Sequence, residues 1–187
     1  MAIYVALLRG INVGGHNKIK MVDLRAAMEA IGLARVQTYI QSGNILFESG
    51  ANEPELRQRI EQQIEAVFRL SIKVVLRSRE EIGQIADGWP FSEEQVADAR
   101  AATDKEVLYV SMLLEAPQPE KVEKLRGYET GGDRFVLAGR DLYLLFDQSI
   151  RNSKLSAQVE KLGVPSTVRN SKTIHKLLEL MDEMAGQ

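Results

Sequence analysis

Cysteine is absent from the 187 residues. Its absence excludes a disulfide framework, a thiolate metal site and a cysteine nucleophile. Histidine occurs twice, which leaves zinc or iron few ligands. A dominant charge is missing too, with 24 Lys and Arg against 26 Asp and Glu and a net charge of −2. A sequence-independent DNA binder carries a strong basic excess, because its affinity comes from neutralising phosphates. The longest uninterrupted apolar run, Ala2–Leu8, is far short of the roughly 20 residues that cross a bilayer. It has neither a basic leader before it nor a small-residue cleavage site after it, so no signal peptide is expected. The expected address is the cytoplasm.

What is present is an ordinary globular balance, 44% hydrophobic and 27% charged. Such a chain is too apolar and too nearly neutral to be disordered. Its length suits one domain or two small ones. The near-zero net charge hides an asymmetry. Residues 1–47 carry +3, residues 48–104 carry −5, residues 105–150 carry −2 and residues 151–187 carry +2.

Hydrophobic periodicity organises the chain into one pattern that occurs twice. Ala2–Leu8 reads as a strand, followed by a Gly-rich loop, Arg9 to Asn17. Met21, Leu24, Met28 and Ile31 mark an amphipathic helix that Gly32 stops. Val36–Ile40 and Ile45–Phe47 read as strands around the turn Ser42-Gly43-Asn44. Leu56, Ile60, Ile64 and Phe68 predict a helix over 53–70, and Ile72–Leu76 a strand. The second half repeats the order. Strands are expected at 106–114, 134–137, 142–146 and 165–168, with helices at 119–125, 153–162 and 173–184. This predicts an α+β protein of two ferredoxin-like βαββαβ subdomains plus a C-terminal helix. The subdomains are expected at 1–78 and 105–187. A linker, 79–104, has a helix near 80–85 and a break at Trp89-Pro90-Phe91.

That architecture brings Arg9–Lys20 close to Gln41–Asn44 at one sheet edge. Gly10 and Gly15 have the spacing of a nucleotide-binding P-loop, but His16-Asn17 stand where that motif requires Lys-Ser/Thr. A P-loop NTPase is therefore rejected, and the dinucleotide fingerprint is absent. A Gly-rich loop between a strand and a helix still suits an anion, because backbone N–H groups point out of it. In the second half, Arg151-Asn152-Ser153-Lys154 and Arg169-Asn170-Ser171-Lys172 each enter a helix. Ser153 and Ser171 are the natural N-caps. The arginines beside them suggest an anion clamp across strands about 10 Å apart. No catalytic constellation stands out. His16 is the one candidate base near an anion site, and His175 reads as a surface residue of the last helix.

Several of these stretches resemble the bacterial DUF1697 family. They are Ala6 to Gly15 (ALLRGINVGG), Ile19-Lys20-Met21 and Thr38 to Asn44 (TYIQSGN). Ser153-Lys154-Leu155, Leu162 to Pro165 and Thr167 to Asn170 also fit, so the resemblance runs along the whole chain. It implies an α/β protein of two ferredoxin-like subdomains and no particular activity. The family's signature residues map onto Arg9, Gly10, Asn12, Gly14, Gly15, Gln41, Ser42, Gly43, Asn44, Lys154, Arg169 and Asn170. Two departures stand out. His16 replaces a basic Lys or Arg, which speaks against a catalytic role for it. Ser171 stands where relatives often carry a Trp; if that Trp stacks on a ligand in relatives, this chain lacks the contact, and the second Arg-Asn-Ser-Lys copy is then coincidental.

The expectation is a protein that binds a small phosphorylated or anionic ligand, with no metal and no cofactor. Arg9, Asn12, Gly14, Gly15, Lys18, Gln41, Ser42 and Asn44 would form one site. Arg151, Lys154, Arg169 and Asn170 would complete it or form a second. One rival is a single-stranded nucleic-acid module using Tyr4, Tyr39, Phe47 and Tyr109, which requires two of these rings to be exposed on one sheet face. Another is an interaction module without ligand or catalysis, with Leu177, Leu178, Leu180 and Met181 as a dimer seam.

Overall fold

β1 (Ala2–Leu8) pairs on both sides over Tyr4–Leu7, and its side chains alternate between two faces. A computed structural model describes residues 1–129 and 131–186. The remaining elements of the first half are α1 (Met21–Ala30), β2 (Ala34–Tyr39), β3 (Asn44–Ser49), α2 (Glu53–Phe68) and β4 (Val74–Ser78). The sheet order is β2-β3-β1-β4, with every neighbouring pair antiparallel. Ala6 and Leu8 of β1 join Ile45, Phe47, Val74 and Leu76 in a core closed by Leu24 and Met28 of α1 and Leu56, Ile60 and Ile64 of α2. The four-residue spacing in α2 aligns those three side chains on one face. Asn52 starts that helix by accepting the Glu55 N–H at 3.0 Å.

After β4 the chain enters α3 (Arg79–Asp87) and α4 (Glu93–Ala102). The second half adds β5 (Leu108–Leu113), α5 (Pro119–Arg126), β6 (Arg134–Ala138), β7 (Asp141–Leu145), α6 (Lys154–Val159), a 3₁₀ turn over Glu160–Leu162, β8 (Ser166–Asn170) and α7 (Ser171–Ala185). Its sheet order, β6-β7-β5-β8, is again antiparallel throughout. Leu113, Leu142, Leu144 and Phe146 pack with Val122, Leu125, Leu155 and Val159 of the covering helices. Ala99 and Val96 of α4 pack with Leu108 and Leu145. The fold is thus a mixed α+β arrangement of two four-stranded antiparallel sheets with helices, ending in a C-terminal helix. No helix among the described residues is long and apolar enough to cross a membrane.

Several element bounds differ from the periodicity reading. β4 runs on through Arg77 and Ser78, because the Arg77 side chain is fully buried rather than a solvated strand end. Ile40 drops out of β2 into the turn, at φ +50°. α4 carries little apolar periodicity, but Ser92 and Gln95 form a reciprocal capping box that starts it.

The chain divides into two compact units, Met1–Gln84 with the segment from His175 onward, and Ile85–Ile174. The terminal helix, expected with the second subdomain, groups from His175 with the first. Arg35 Nη1 donates to the Met184 carbonyl at 2.7 Å, and Arg79 pairs with Asp182 at 2.6 Å. Leu177 and Met181 are buried. Amphipathic spacing makes a helix but does not say which sheet it serves.

Candidate functional site

The loop after β1 is pinned at both ends by buried isoleucines, Ile11 and Ile19, which sit in the first core. Between them it braces itself. The Asn12 N–H donates to the Asn17 carbonyl at 3.2 Å, His16 N–H to Val13 at 3.0 Å, and Asn17 Nδ2 to Gly10 at 3.0 Å. The Asn12 side chain does most. Its Oδ1 accepts the Ile19 N–H at 2.9 Å, and its Nδ2 donates to the Ile19 carbonyl at 3.0 Å and the Gln41 carbonyl at 2.9 Å. The loop is thereby bolted to the β2–β3 turn, as the predicted proximity of the two stretches requires.

That turn is seated against β1 by a second set of bonds. The Leu8 N–H donates to the Gly43 carbonyl at 2.9 Å. Gly43 has φ +77°, and a Cβ there would lie 2.5 Å from Ile11 Cδ1 and 2.9 Å from Leu8 Cβ. Only glycine lets the turn come this close. Asn44 is fully buried and donates to the Tyr39 carbonyl at 2.9 Å and Ser42 Oγ at 3.0 Å. Ile40 adopts φ +50° with 47% of its surface exposed. A β-branched residue in that region is strained, and strain of this kind collects at functional sites.

Beside the loop lies an open cleft of about 660 Å³. Its polar walls are Asn12, Gly15, Lys18, Lys20, Asp23 and Gln41, and its apolar surface is Ile19, Met21 and Phe68. Lys18 and Lys20 are exposed and form no ion pair among the described residues. Lys20 is also the N-cap of α1 and provides no side-chain cap. The first N–H groups of α1 therefore meet no capping side chain, and the positive end of the helix adds to the two ammonium groups. Arg9, Gly14, Ser42 and Asn44 fall outside the lining. Arg9 is half-buried, with its N–H on the Lys73 carbonyl at 3.1 Å. His16 is exposed and has no part in the cleft.

The second cluster looks different once built. Strands β7 and β8 flank β5, as the clamp requires. Arg169, however, is buried, and its Nη1 donates to Thr167 Oγ1 at 2.7 Å and the Val168 carbonyl at 2.8 Å. Burial pulls its guanidinium down to about 10. Asn170 Oδ1 accepts the Thr173 N–H at 2.9 Å, so Asn170, not Ser171, caps α7. In the earlier copy Ser153 is the cap, accepting from the Ser156 N–H at 3.1 Å. The two tetrapeptides thus enter their helices one residue out of register, and their likeness is not a structural repeat. Ser153 Oγ also donates to Asp133 Oδ2 at 2.7 Å. Asp133 takes two more bonds, from Gln148 Nε2 at 3.0 Å and the Asp147 N–H at 3.3 Å. Burial nevertheless raises its carboxyl above the usual aspartate value. A carboxyl group already stands behind the start of α6, which disfavours a second anion there. Arg151 and Lys154 are exposed, and Lys172 pairs with Glu106 at 3.1 Å.

The aromatic residues of the nucleic-acid reading pack inward. Phe47 is buried with Tyr4 stacked on it at 6.0 Å, and Tyr109 meets Phe146 edge-on at 5.7 Å. Tyr39 is half-buried, so none of the four is an exposed platform. Among the described residues no three His, Asp or Glu groups converge to hold a metal ion.

Comparison with known proteins places the chain without giving it a role. The conserved bacterial protein SP0830 from Streptococcus pneumoniae superposes with a TM-score of 0.71 at 25% identity, over 96% of this chain and 98% of that one. No curated protein matches. The model of a protein family of unknown function matches residues 1–143, which include the Gly-rich loop and the hairpin but not the motifs at 153–170. On that match, the chain belongs to the DUF1697 family.

Proposed function

We propose that the protein binds a small phosphorylated or otherwise anionic ligand in the cleft formed by residues 12–20, Gln41 and Phe68. The observation that carries this reading is the meeting of two lysines, 18 and 20, that form no ion pair among the described residues, with the uncapped start of α1 on one wall of a braced cleft. Backbone N–H groups at a helix start and nearby ammonium groups recognise phosphate or carboxylate without further chemistry. The cleft's size is within the range of small-molecule sites. Ile19, Met21 and Phe68 offer an apolar surface to the uncharged part of the ligand. Asp23 in the same lining limits the net charge, so a ligand with one or two negative charges fits better than a polyanion.

Asn12 and Asn44 serve this site by holding its backbone, and the side chains of Arg169 and Asn170 are spent on their own unit. We read each unit as a ferredoxin-like layer, a reading supported by the βαββαβ element order and the β2-β3-β1-β4 and β6-β7-β5-β8 strand orders.

The test is a thermal-shift screen with inorganic phosphate, phosphosugars, mononucleotides and short single-stranded oligonucleotides. Wild type is compared with Lys18→Ala/Lys20→Ala. A ligand at 100 times its dissociation constant stabilises by about 2.7 kcal/mol, well above detection. The reading expects a shift with a small anion that disappears in the double variant. No shift with any compound rejects it.

A further inference from the structure

We propose a second ligand site in the unit formed by Ile85–Ile174, a basic pocket that takes a nucleoside mono- or diphosphate. The pocket, of about 270 Å³, lies between α5 and the α6–3₁₀ segment. Its lining is Lys121, Lys124, Leu125, Tyr128, Gln158 and Lys161. Three lysines converge there, and no carboxylate lines it among the described residues. None of the three forms an ion pair among the described residues. Gathering three ammonium groups around one small concavity costs Coulomb energy, which a bound di- or trianion turns into attraction.

Lys124 and Lys161 lie in the last turns of their helical segments, where cations favour the terminal carbonyls. That explains their positions along the chain but not Lys121, nor the remaining polar group. Gln158 Oε1 is buried and accepts no hydrogen bond among the described residues. A buried amide oxygen without a donor is costly, and a ligand's amino or hydroxyl group would satisfy it. Tyr128 is 37% exposed and makes no ring contact among the described residues. Leu125, buried beneath, gives the wall an apolar surface. An aromatic ring to stack, an acceptor for an exocyclic amine and three cations for phosphate together describe a nucleotide.

The experiment is isothermal titration of the full chain with ADP and, separately, with inorganic pyrophosphate. Three variants accompany wild type: Lys18→Met/Lys20→Met, the same variant with Lys121→Met/Lys161→Met added, and Gln158→Leu. The proposal expects ADP binding to persist in the Lys18/Lys20 variant, where the first cleft is disabled, and to weaken about tenfold or more when Lys121→Met/Lys161→Met is added to it. Gln158→Leu weakens ADP and leaves pyrophosphate as it was. Circular dichroism of each variant verifies that it is folded. No binding of either probe, or ADP binding indifferent to Lys121 and Lys161, overturns the proposal. Pyrophosphate binding as tightly as ADP overturns the nucleoside part. Loss of binding already in the Lys18/Lys20 variant assigns the ligand to the first cleft and overturns this one.

Discussion

Arg77 and Arg169 occupy the same place in successive βαββαβ units. Each is the next-to-last residue of a strand that pairs with its unit's first strand, opposite Val5 and Val110 respectively. Each is buried, and each donates Nη1 to the carbonyl of the residue before it, at 2.8 Å. The following residue starts a helix in both cases. Ser78 Oγ accepts the Glu81 N–H at 3.2 Å, and Asn170 Oδ1 the Thr173 N–H at 2.9 Å. The internal repeat of this chain is therefore Leu76-Arg77-Ser78 with Val168-Arg169-Asn170, not the two Arg-Asn-Ser-Lys runs.

This assigns Arg169 to stability rather than to a ligand. Arg169→Ala removes a buried, doubly bonded guanidinium and leaves Thr167 and a carbonyl to find other partners. It is expected to destabilise by about 2–4 kcal/mol in urea unfolding. A loss below about 0.5 kcal/mol, typical of a surface residue, would contradict the assignment.

Asn12 is expected to behave as a brace. Asn12→Ala loses three hydrogen bonds and puts a Cβ residue at φ +53° without compensation. The expected cost is about 3 kcal/mol. Asn12→Gly loses the same bonds but tolerates the backbone, so it should be milder by about 1 kcal/mol. Equal costs would show that the conformation carries no strain.

Glycines in the same region should separate sharply. Gly43→Ala meets Ile11 and Leu8 at 2.5–2.9 Å and should cost more than about 3 kcal/mol. Gly15 also has positive φ, but nothing lies within 4 Å of its missing Cβ. Gly15→Ala should cost only about 1 kcal/mol. Thermal unfolding of the two variants decides it, and a reversed order would contradict the packing described.

Asp133 sets a pH dependence. Burial raises its carboxyl in the folded state above the ordinary value of 3.8. The folded protein then holds this proton more tightly than the unfolded chain. The group's contribution to stability is complete below pH 3.8 and is lost as pH rises through the raised value. The stability difference between wild type and Asp133→Asn should therefore decline as pH rises above 3.8 in denaturant titrations. A difference that grows with pH would show the opposite shift.

Much of the fold is legible in the sequence because burial wrote it in apolar spacing. Leu56, Ile60 and Ile64 announce α2, and the run through Ala2–Leu8 announces β1. The approach of the Gly-rich loop to the 41–44 turn follows from topology alone. Features that depend on a single side chain were not legible. Arg77 looks like a strand's polar end and is a buried bolt. α4 shows itself only through Ser92 and Gln95, a two-residue signal without apolar periodicity. At the site, the Gly-rich loop marks the place but not the roles. Arg9 and Asn12 look like ligand groups, yet Arg9 falls outside the cleft and Asn12 spends its amide on backbone. Lys18 and Lys20, beside the start of α1, hold the charge that faces the cleft.

The most direct test of the central claim is an amide-resolved NMR titration of the full chain with inorganic phosphate. Anion capture at the start of α1 predicts saturable shifts at the amides of Met21, Val22 and Asp23, with smaller ones at Gly15, Lys18 and Gln41. Those shifts should vanish in Lys18→Ala/Lys20→Ala. If the α1 amides stay still while phosphate saturates elsewhere or nowhere, the cleft is not an anion site and the account fails.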